Sequence, residues 1–373
     1  MSYLGLLTSR TPSVTPTPTP TPPAPPEPLR LMTLAQTVDA PVVPFEGTLA
    51  PIAGASLVTG GERITATDAR LGRLGTPSAD LTWRGEPYSY EFDYTGSALA
   101  FRFNCGAGAS TKAFRVYVDG SPTTSGHVFP AESSQYRVAL GAPKTRRIRL
   151  DLSFGMGFDG VDAEPGATVT AGPKKKRLYM LGDSWVEGTA VTAAGQSPGM
   201  DFMGFLTGRL LNADTWTSGI GGTGYSNGAS GNRHYASTAR LDRLVASQPD
   251  AVLVFGSIND NNSDGSGLGQ YATALYSRLA TDLPGVPVLV CGVQDWGQGF
   301  NGTDSSPEMT RAVAAAPNVK GYVQPLVEDW VAQGDNTINN AAYNNAHLTV
   351  KGNRYYAEKL AAFIARSLNI PAA

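Results

Sequence analysis

Ser184 is the residue of this 373-residue chain best placed for covalent chemistry, and its neighbours explain why. Leu178, Tyr179, Met180 and Leu181 have strand character and run straight into Gly182-Asp183-Ser184, where a regular strand has to stop. Such a strand presents its next side chain at the carboxyl edge of a sheet, the edge at which open α/β sheets bind ligands. A serine there is either a nucleophile or a helix N-cap, a role that suits both Ser and Asp. A nucleophile needs a base, and the chain holds three histidines. His127 falls in a β-patterned segment and reads as a surface or packing residue, while His234 lies in a glycine-rich loop. His347 stands in Asn344-Asn345-Ala346-His347-Leu348-Thr349, just before a terminal helix, on a loop able to reach the same sheet edge. Acyl transfer also needs donors placed in advance for an oxyanion. Ser218-Gly219-Ile220-Gly221-Gly222-Thr223-Gly224 and Gly256-Ser257-Ile258-Asn259-Asp260 each follow a strand-like run and offer backbone N–H groups and an amide side chain.

Two kinds of patterning must position these residues. From about residue 31 to 172 apolar residues alternate with polar ones, as in Tyr88, Tyr90, Phe92 and Tyr94, then Leu99, Phe101 and Phe103, then Phe114, Val116 and Val118, then Ile148, Leu150 and Leu152. Turn signals lie between them at Asp119-Gly120-Ser121-Pro122 and Gly141-Ala142-Pro143. Short alternating strands at this spacing predict an antiparallel β-sandwich. The basic run Lys174-Lys175-Lys176-Arg177 then reads as a solvated linker. After it, continuous apolar runs at 251–255 and 286–290 fit strands buried on both faces of a parallel sheet. Helical spacing appears at Leu241, Leu244 and Val245, at Tyr271, Leu275 and Leu279, and at Tyr356, Leu360, Phe363 and Ile364. Residues 173–373 are therefore expected to form a three-layer α/β/α domain with a parallel sheet of about five strands.

Residues 1–30 read differently, because nine prolines fall between Pro12 and Pro28, alternating with Thr, and predict a semi-rigid polyproline II spacer. Such a spacer suggests that the first residues attach to something else. The N-terminus has no basic region followed by an apolar core and cleavage site, so no standard secretion signal is expected. No run approaches the ~18 apolar residues of a membrane span, and a net charge of −2 gives no electrostatic case for nucleic acid. Cys105 and Cys291 fall in different predicted domains, so no disulfide is expected.

Taken together, Gly-Asp-Ser on one strand, a Gly-rich turn after the next, Gly-x-x-Asn-Asp after the third and a late histidine resemble the SGNH (GDSL-type) hydrolase superfamily. The resemblance covers about 190 residues and implies a flavodoxin-like α/β/α fold. It also implies catalytic Ser184 and His347, an oxyanion hole of the Ser184 N–H, Gly222 and Asn259, and no metal or organic cofactor. The preceding β-region is similar in layout to the jelly-roll partner of carbohydrate esterase family 2 and of SGNH proteins in phage tails. That layout implies an ester hydrolase acting on acetyl or short acyl groups of a polysaccharide, either attached to a virion through the N-terminal segment or secreted. The family usually places Asp three residues before the histidine, and here that position is Asn344. In a serine triad the change from Asp to Asn can cost up to ~10⁴ in kcat. His347 could be oriented by Asn344, by a backbone carbonyl in a Ser–His dyad, or by Asp335 or Asp295. The domain could also be silent and serve carbohydrate binding or tail structure. Trp185, Tyr225, Trp296 and Phe300 are candidate substrate-rim aromatics on sheet-edge loops.

Other patterns carry less. Gly219 to Gly224 matches G-x-G-x-x-G, but a loop follows where a dinucleotide site needs a helix. Asp260 opens a calcium-like loop whose twelfth position is Tyr271 in place of a bidentate Glu. Val186 breaks the G-x-S-x-G nucleophile elbow.

Overall fold

The computed structural model describes residues 25–37, 49–52, 61–74, 87–105, 112–131, 133–153, 155–187, 200–228, 233–262, 268–292, 306–325, 328, 330 and 347–372. Nine strands form one antiparallel sheet: β1 (Leu49–Ile52), β2 (Glu62–Thr65), β3 (Arg73–Leu74), β4 (Tyr88–Asn104), β5 (Phe114–Val118), β6 (Ser121–Pro122), β7 (Ser133–Leu152), β8 (Phe158–Ala163) and β9 (Thr168–Ala171). Strands β4 and β7 pair along almost their whole length, and β1, β3, β5, β8 and β9 attach along them in two groups, with β2 and β6 on the outer edges of β8 and β5. Strands β9 and β5 lie beside the Phe92–Thr95 and Ile148–Leu152 ends, and β8 and β1 beside the Leu99–Phe103 and Gln135–Val138 ends. Apolar residues from both ends meet in one core, including Phe92, Tyr94, Phe101, Phe103, Phe114, Val138 and Leu150.

Gly141-Ala142-Pro143, expected as a turn between strands, lies instead inside the continuous strand β7. Gly141 has φ +72°, and the β4–β7 register shifts between Gly96 and Ala98, so the same residues bend a long strand without ending it. Asp119-Gly120 is a true hairpin turn, with positive φ at both positions (51° and 85°).

The second domain is a parallel five-stranded sheet in the order β11-β10-β12-β13-β14, built from β10 (Arg177–Gly182), β11 (Asp214–Gly219), β12 (Ala251–Phe255), β13 (Val288–Cys291) and β14 (Val319–Val323). This is the flavodoxin-like order, with its switch point at β10. Strand alternation divides the core in two. Leu178, Met180, Leu253, Phe255 and Leu289 face a layer that includes α3 (Met203–Leu210) and α7 (Val350–Leu368). Tyr179, Leu181, Val252, Val254 and Val290 face α4 (Thr238–Ala246), α5 (Leu268–Asp282) and α6 (Ser306–Ala315). Cys105 and Cys291 are both buried as free thiols. Among the described residues no helix is long and apolar enough to cross a membrane.

Residues 27–37 do not open the β-region. They run along the second domain: Arg30 and Met32 N–H groups bond to the carbonyls of Leu211 and Leu210, and Leu29, Leu31 and Leu34 pack on its core. Nor is the basic run a free linker. Lys175 is buried against Glu91 at 3.1 Å. Beside it Asp151, on β7, lies between Arg149 at 2.7 Å and Arg209 of α3 at 3.3 Å, and Arg209 also covers the Tyr117 ring. Burial opposes ionisation of Asp151, yet the charges of Arg149 and Arg209 outweigh it and hold the carboxyl below its usual range. The seam leaves a cavity of about 10 Å³, room for one water, between Tyr88, Ser89 and Arg149 on one side and Phe205, Arg209 and Thr215 on the other. Removing one member of a buried pair strands the other charge, so Asp151→Asn is expected to cost about 3–5 kcal/mol. A urea-unfolding midpoint equal to wild type would contradict this account of the seam.

Candidate active site

The site begins with two glycines that let a helix settle on the sheet edge. Gly182 ends β10 and is the register partner of Gly219, which ends β11. A Cβ on Gly182 would overlap the Val186 side chain, and one on Gly219 would overlap the backbone of Glu187. Because both lack side chains, the short helix α2 (Ser184–Glu187) starts directly above the strand ends. Ser184 is its first residue, half-buried. The Asp183 carboxylate accepts from the Trp185 N–H at 2.9 Å, and the Asp183 carbonyl accepts from the Val186 and Glu187 N–H groups, so the capping role belongs to Asp183 and leaves the Ser184 hydroxyl available.

Facing Ser184 is the turn after β11. A Cβ on Gly221 would come within 3.7 Å of the Ser184 Cβ and 2.9 Å of a Glu187 carboxylate oxygen. Gly222 follows with φ +75°, a conformation that suits glycine and turns the chain back. Thr223 closes the turn by donating its hydroxyl to the Ile220 carbonyl at 2.7 Å. The third strand end contributes a 3₁₀ turn, Ile258–Asn262. Its Asn259 donates its side-chain amide to the Thr223 carbonyl at 2.9 Å and, at the long limit of 3.5 Å, to Asp183. Ser257 donates to the same Thr223 carbonyl at 2.9 Å. Beyond the turn, Asp260 collects the N–H groups of Tyr225, Ser226 and Asn227 and the Ser226 hydroxyl, at 2.8–3.1 Å. That carboxylate is occupied as a loop anchor, and among the described residues no cluster of His, Cys, Asp and Glu could hold a metal.

His347 stands three residues before the first residue of α7. Its neighbour Leu348 is buried in the same core as Trp185, the residue next to Ser184, and Tyr356, which meets the Trp185 ring edge-on at 5.2 Å. Asn353 pins the segment by donating to the Leu348 and Thr349 carbonyls while accepting from the Met203 N–H. Burial pushes the His347 imidazole below its ordinary value. The other histidines are employed elsewhere: His127 bonds to Asp201 across the domain seam at 2.8 Å, and His234 stacks edge-on with Tyr271 at 5.5 Å.

Two rim candidates are corrected. Trp185 is 4% exposed and Tyr225 is 1% exposed, with its hydroxyl bonded to that of Tyr276, so both are core residues that cannot meet a substrate. Trp296, Phe300, Asn344, Asp295 and Asp335 lie outside the described residues. Sequence reasoning missed Asp183 as a buried ionisable member of the site. Complete burial raises its carboxyl to about 7, against the lowering effect of the Trp185 and Ile258 N–H groups.

Residues 180–355 match the GDSL-like Lipase/Acylhydrolase family. No curated protein matches the chain by sequence. Among solved structures, a salicylyl-acyltransferase from a tetracycline biosynthetic pathway superposes with a TM-score of 0.59 at 15% identity, over 84% of this chain and 100% of its own. A family two carbohydrate esterase from Clostridium thermocellum, in complex with cellohexaose, gives 0.56 at 19% identity over 83% and 98%. An acetyl xylan esterase from the rumen bacterium Butyrivibrio proteoclasticus gives 0.54 at 15% identity over 86% and 99%. Likeness at these identities establishes a shared fold, and its coverage takes in the β-region as well as the α/β domain.

The Asp183 carboxyl supplies a test of the site's electrostatics. An acid whose folded value is raised stabilises the fold only while protonated. That contribution is complete below the unfolded value near 4 and is lost as pH rises through about 7. Asp183→Asn removes the ionisation, so its stability relative to wild type should climb between pH 5 and pH 8 by a few kcal/mol. Urea midpoints that keep a constant offset across that range would refute the assignment.

Proposed function

We propose that the protein is a serine esterase of the SGNH (GDSL-type) superfamily, a reading supported by the match of residues 180–355 to the GDSL-like Lipase/Acylhydrolase family. It removes acetyl or other short acyl groups from an extracellular or cell-envelope polysaccharide. The observation that carries this reading is the meeting of three strand ends: Ser184, the Gly221–Gly222 turn and Asn259 are tied to one another through Thr223 and Asp183. In the reaction, Ser184 Oγ attacks the acyl carbonyl carbon and gives its proton to His347. The Ser184 and Gly222 N–H groups and the Asn259 amide hold the oxyanion. The intermediate collapses, and the sugar hydroxyl leaves with the proton from His347. A water then gives a proton to His347, attacks the acyl-serine, and releases the carboxylic acid with Ser184 restored.

The carbohydrate part of the reading draws on the esterase structures that share both halves of the fold. In it the β-region orients the glycan, and the Pro/Thr-rich segment joins the enzyme to a virion or another exposed assembly. Asn259 would turn the amide proton now shared weakly with Asp183 toward the oxyanion, since 3.5 Å is little to give up.

The purified protein is expected to hydrolyse an aryl acetate and to release acetate from an acetylated polysaccharide. Ser184→Ala and His347→Ala should each lose at least ~10³-fold in kcat, and Asn259→Ala ~10²–10³-fold. A wild-type rate no higher than that of Ser184→Ala would end the esterase reading. The base works only when neutral, and burial lowers its ionisation. The acid limb of kcat/KM should therefore fall below pH 6.5, the ordinary histidine value. A limb above that value would assign the proton transfer to another group.

A further inference from the structure

Arg240 has a fully buried side chain and lies on α4, beneath the catalytic edge. One Nη donates to the Gly182 carbonyl at 2.7 Å and to the Ser218 carbonyl, spanning the ends of two neighbouring strands. The other donates to Thr223 Oγ1 at 3.0 Å and to the Arg233 carbonyl at 3.1 Å. The guanidinium lies over the Tyr235 ring, 5.0 Å from its centroid. These acceptors bracket the proposed oxyanion donors. Gly182 is two residues before Ser184, while Ser218 and Thr223 stand on either side of Gly222. Through Thr223 the same side chain reaches the third donor, because the Thr223 carbonyl is held by Asn259.

We infer that Arg240 is the positioning residue of the oxyanion hole, fixing the Ser184, Gly222 and Asn259 donors relative to one another from below. The inference rests on the esterase reading above. The chemistry favours arginine because its planar fork offers several donors in fixed directions, whereas lysine is a point charge with a tetrahedral head. The guanidinium's positive charge, on the protein side of the donors, also favours an oxyanion over a neutral carbonyl, an effect that acts on the transition state and not on substrate binding.

The test compares wild type, Arg240→Lys and Thr223→Val in aryl acetate hydrolysis and in binding of a boronic acid, which forms a tetrahedral anion on a reactive serine. Arg240→Lys keeps the charge and loses the fork; it is expected to lower kcat by ~10²-fold with KM within about threefold, and to weaken the boronate in parallel with kcat/KM. Thr223→Val nearly preserves shape but removes the hydroxyl that accepts from Arg240 and donates to the Ile220 carbonyl, freeing the Gly222 turn from below, and is expected to lose ~10-fold or more in kcat, again with KM held. A purely structural arginine predicts a lower unfolding midpoint with kcat and boronate affinity intact in the folded fraction. That outcome, or a loss confined to KM, would overturn the inference while leaving the esterase reading standing. If Arg240→Lys does not fold, Thr223→Val decides, and wild-type kcat in that variant overturns the inference. Wild-type hydrolysis that does not depend on Ser184 would overturn both readings together.

Discussion

Helix α2 sits on the ends of β10 and β11 because neither strand end carries a side chain, and the rest of the site follows from that contact. Gly182 and Gly219 are register partners, and the space their Cβ atoms would need is filled by Val186 and by the Glu187 backbone. Any larger residue at either position would lift the helix and carry Ser184 with it. The contact also commits the surroundings. Trp185, one residue into the helix, turns into the core against Phe255 and Tyr356, which ties Ser184 to the third strand and to the terminal helix that follows His347.

A site built so closely has to bury polar and ionisable groups, and each one shapes its surroundings. Asp183 caps α2 from a fully buried position and responds by holding its proton up to about pH 7. In the proposed reaction that matters, since an ionised carboxylate behind Asn259 would compete with the oxyanion for the same amide proton. Asp260 and Arg240 divide the glycine-rich loop between them: the carboxylate gathers N–H groups after Gly224, and the guanidinium holds the Ser218 carbonyl before Gly222 and the Thr223 hydroxyl after it. Glycine gives that loop its tight turn but no rigidity, so rigidity has to come from partners.

What could be read beforehand follows from which physical signals are local. The parallel sheet was legible because fully buried strands are continuous apolar runs, whereas its flavodoxin-like order was implied by the family resemblance alone. Ser184, Gly222 and Asn259 stood out because each follows a strand-like run in a short motif, and the structure brings those three strand ends to one sheet edge. Arg240 was not, because a charged residue in Thr238-Ala239-Arg240-Leu241-Asp242-Arg243 looks like any solvated helix face. Trp185 and Tyr225 misled for the converse reason: position on an edge loop says nothing about which way a ring turns. The seam was hidden by the rule that found the strands. Glu91, Arg149 and Asp151 alternate with apolar residues, which reads as a face toward water, and that face is where the second domain docks.

That seam also decides how the β-region bears on the site. Asp201 accepts from His127 of the β-region at 2.8 Å and is approached by Arg354, in the second turn of α7, at 3.4 Å. Burial works against its ionisation, but the bond to His127 and the charges of His127, Arg115 and Arg354 keep it ionised well below the usual carboxylate range. Two residues on, the Met203 N–H bonds to Asn353, which in turn holds the Leu348 and Thr349 carbonyls beside His347. The β-region is thus joined by successive polar contacts to the segment that carries His347. A domain that only tethered a catalyst would need no such contacts, and a flexible joint would blur the position of His347. The buried ion pairs of the seam therefore do for His347 what the paired glycines do for Ser184: they remove the freedom of the backbone on which the side chain stands.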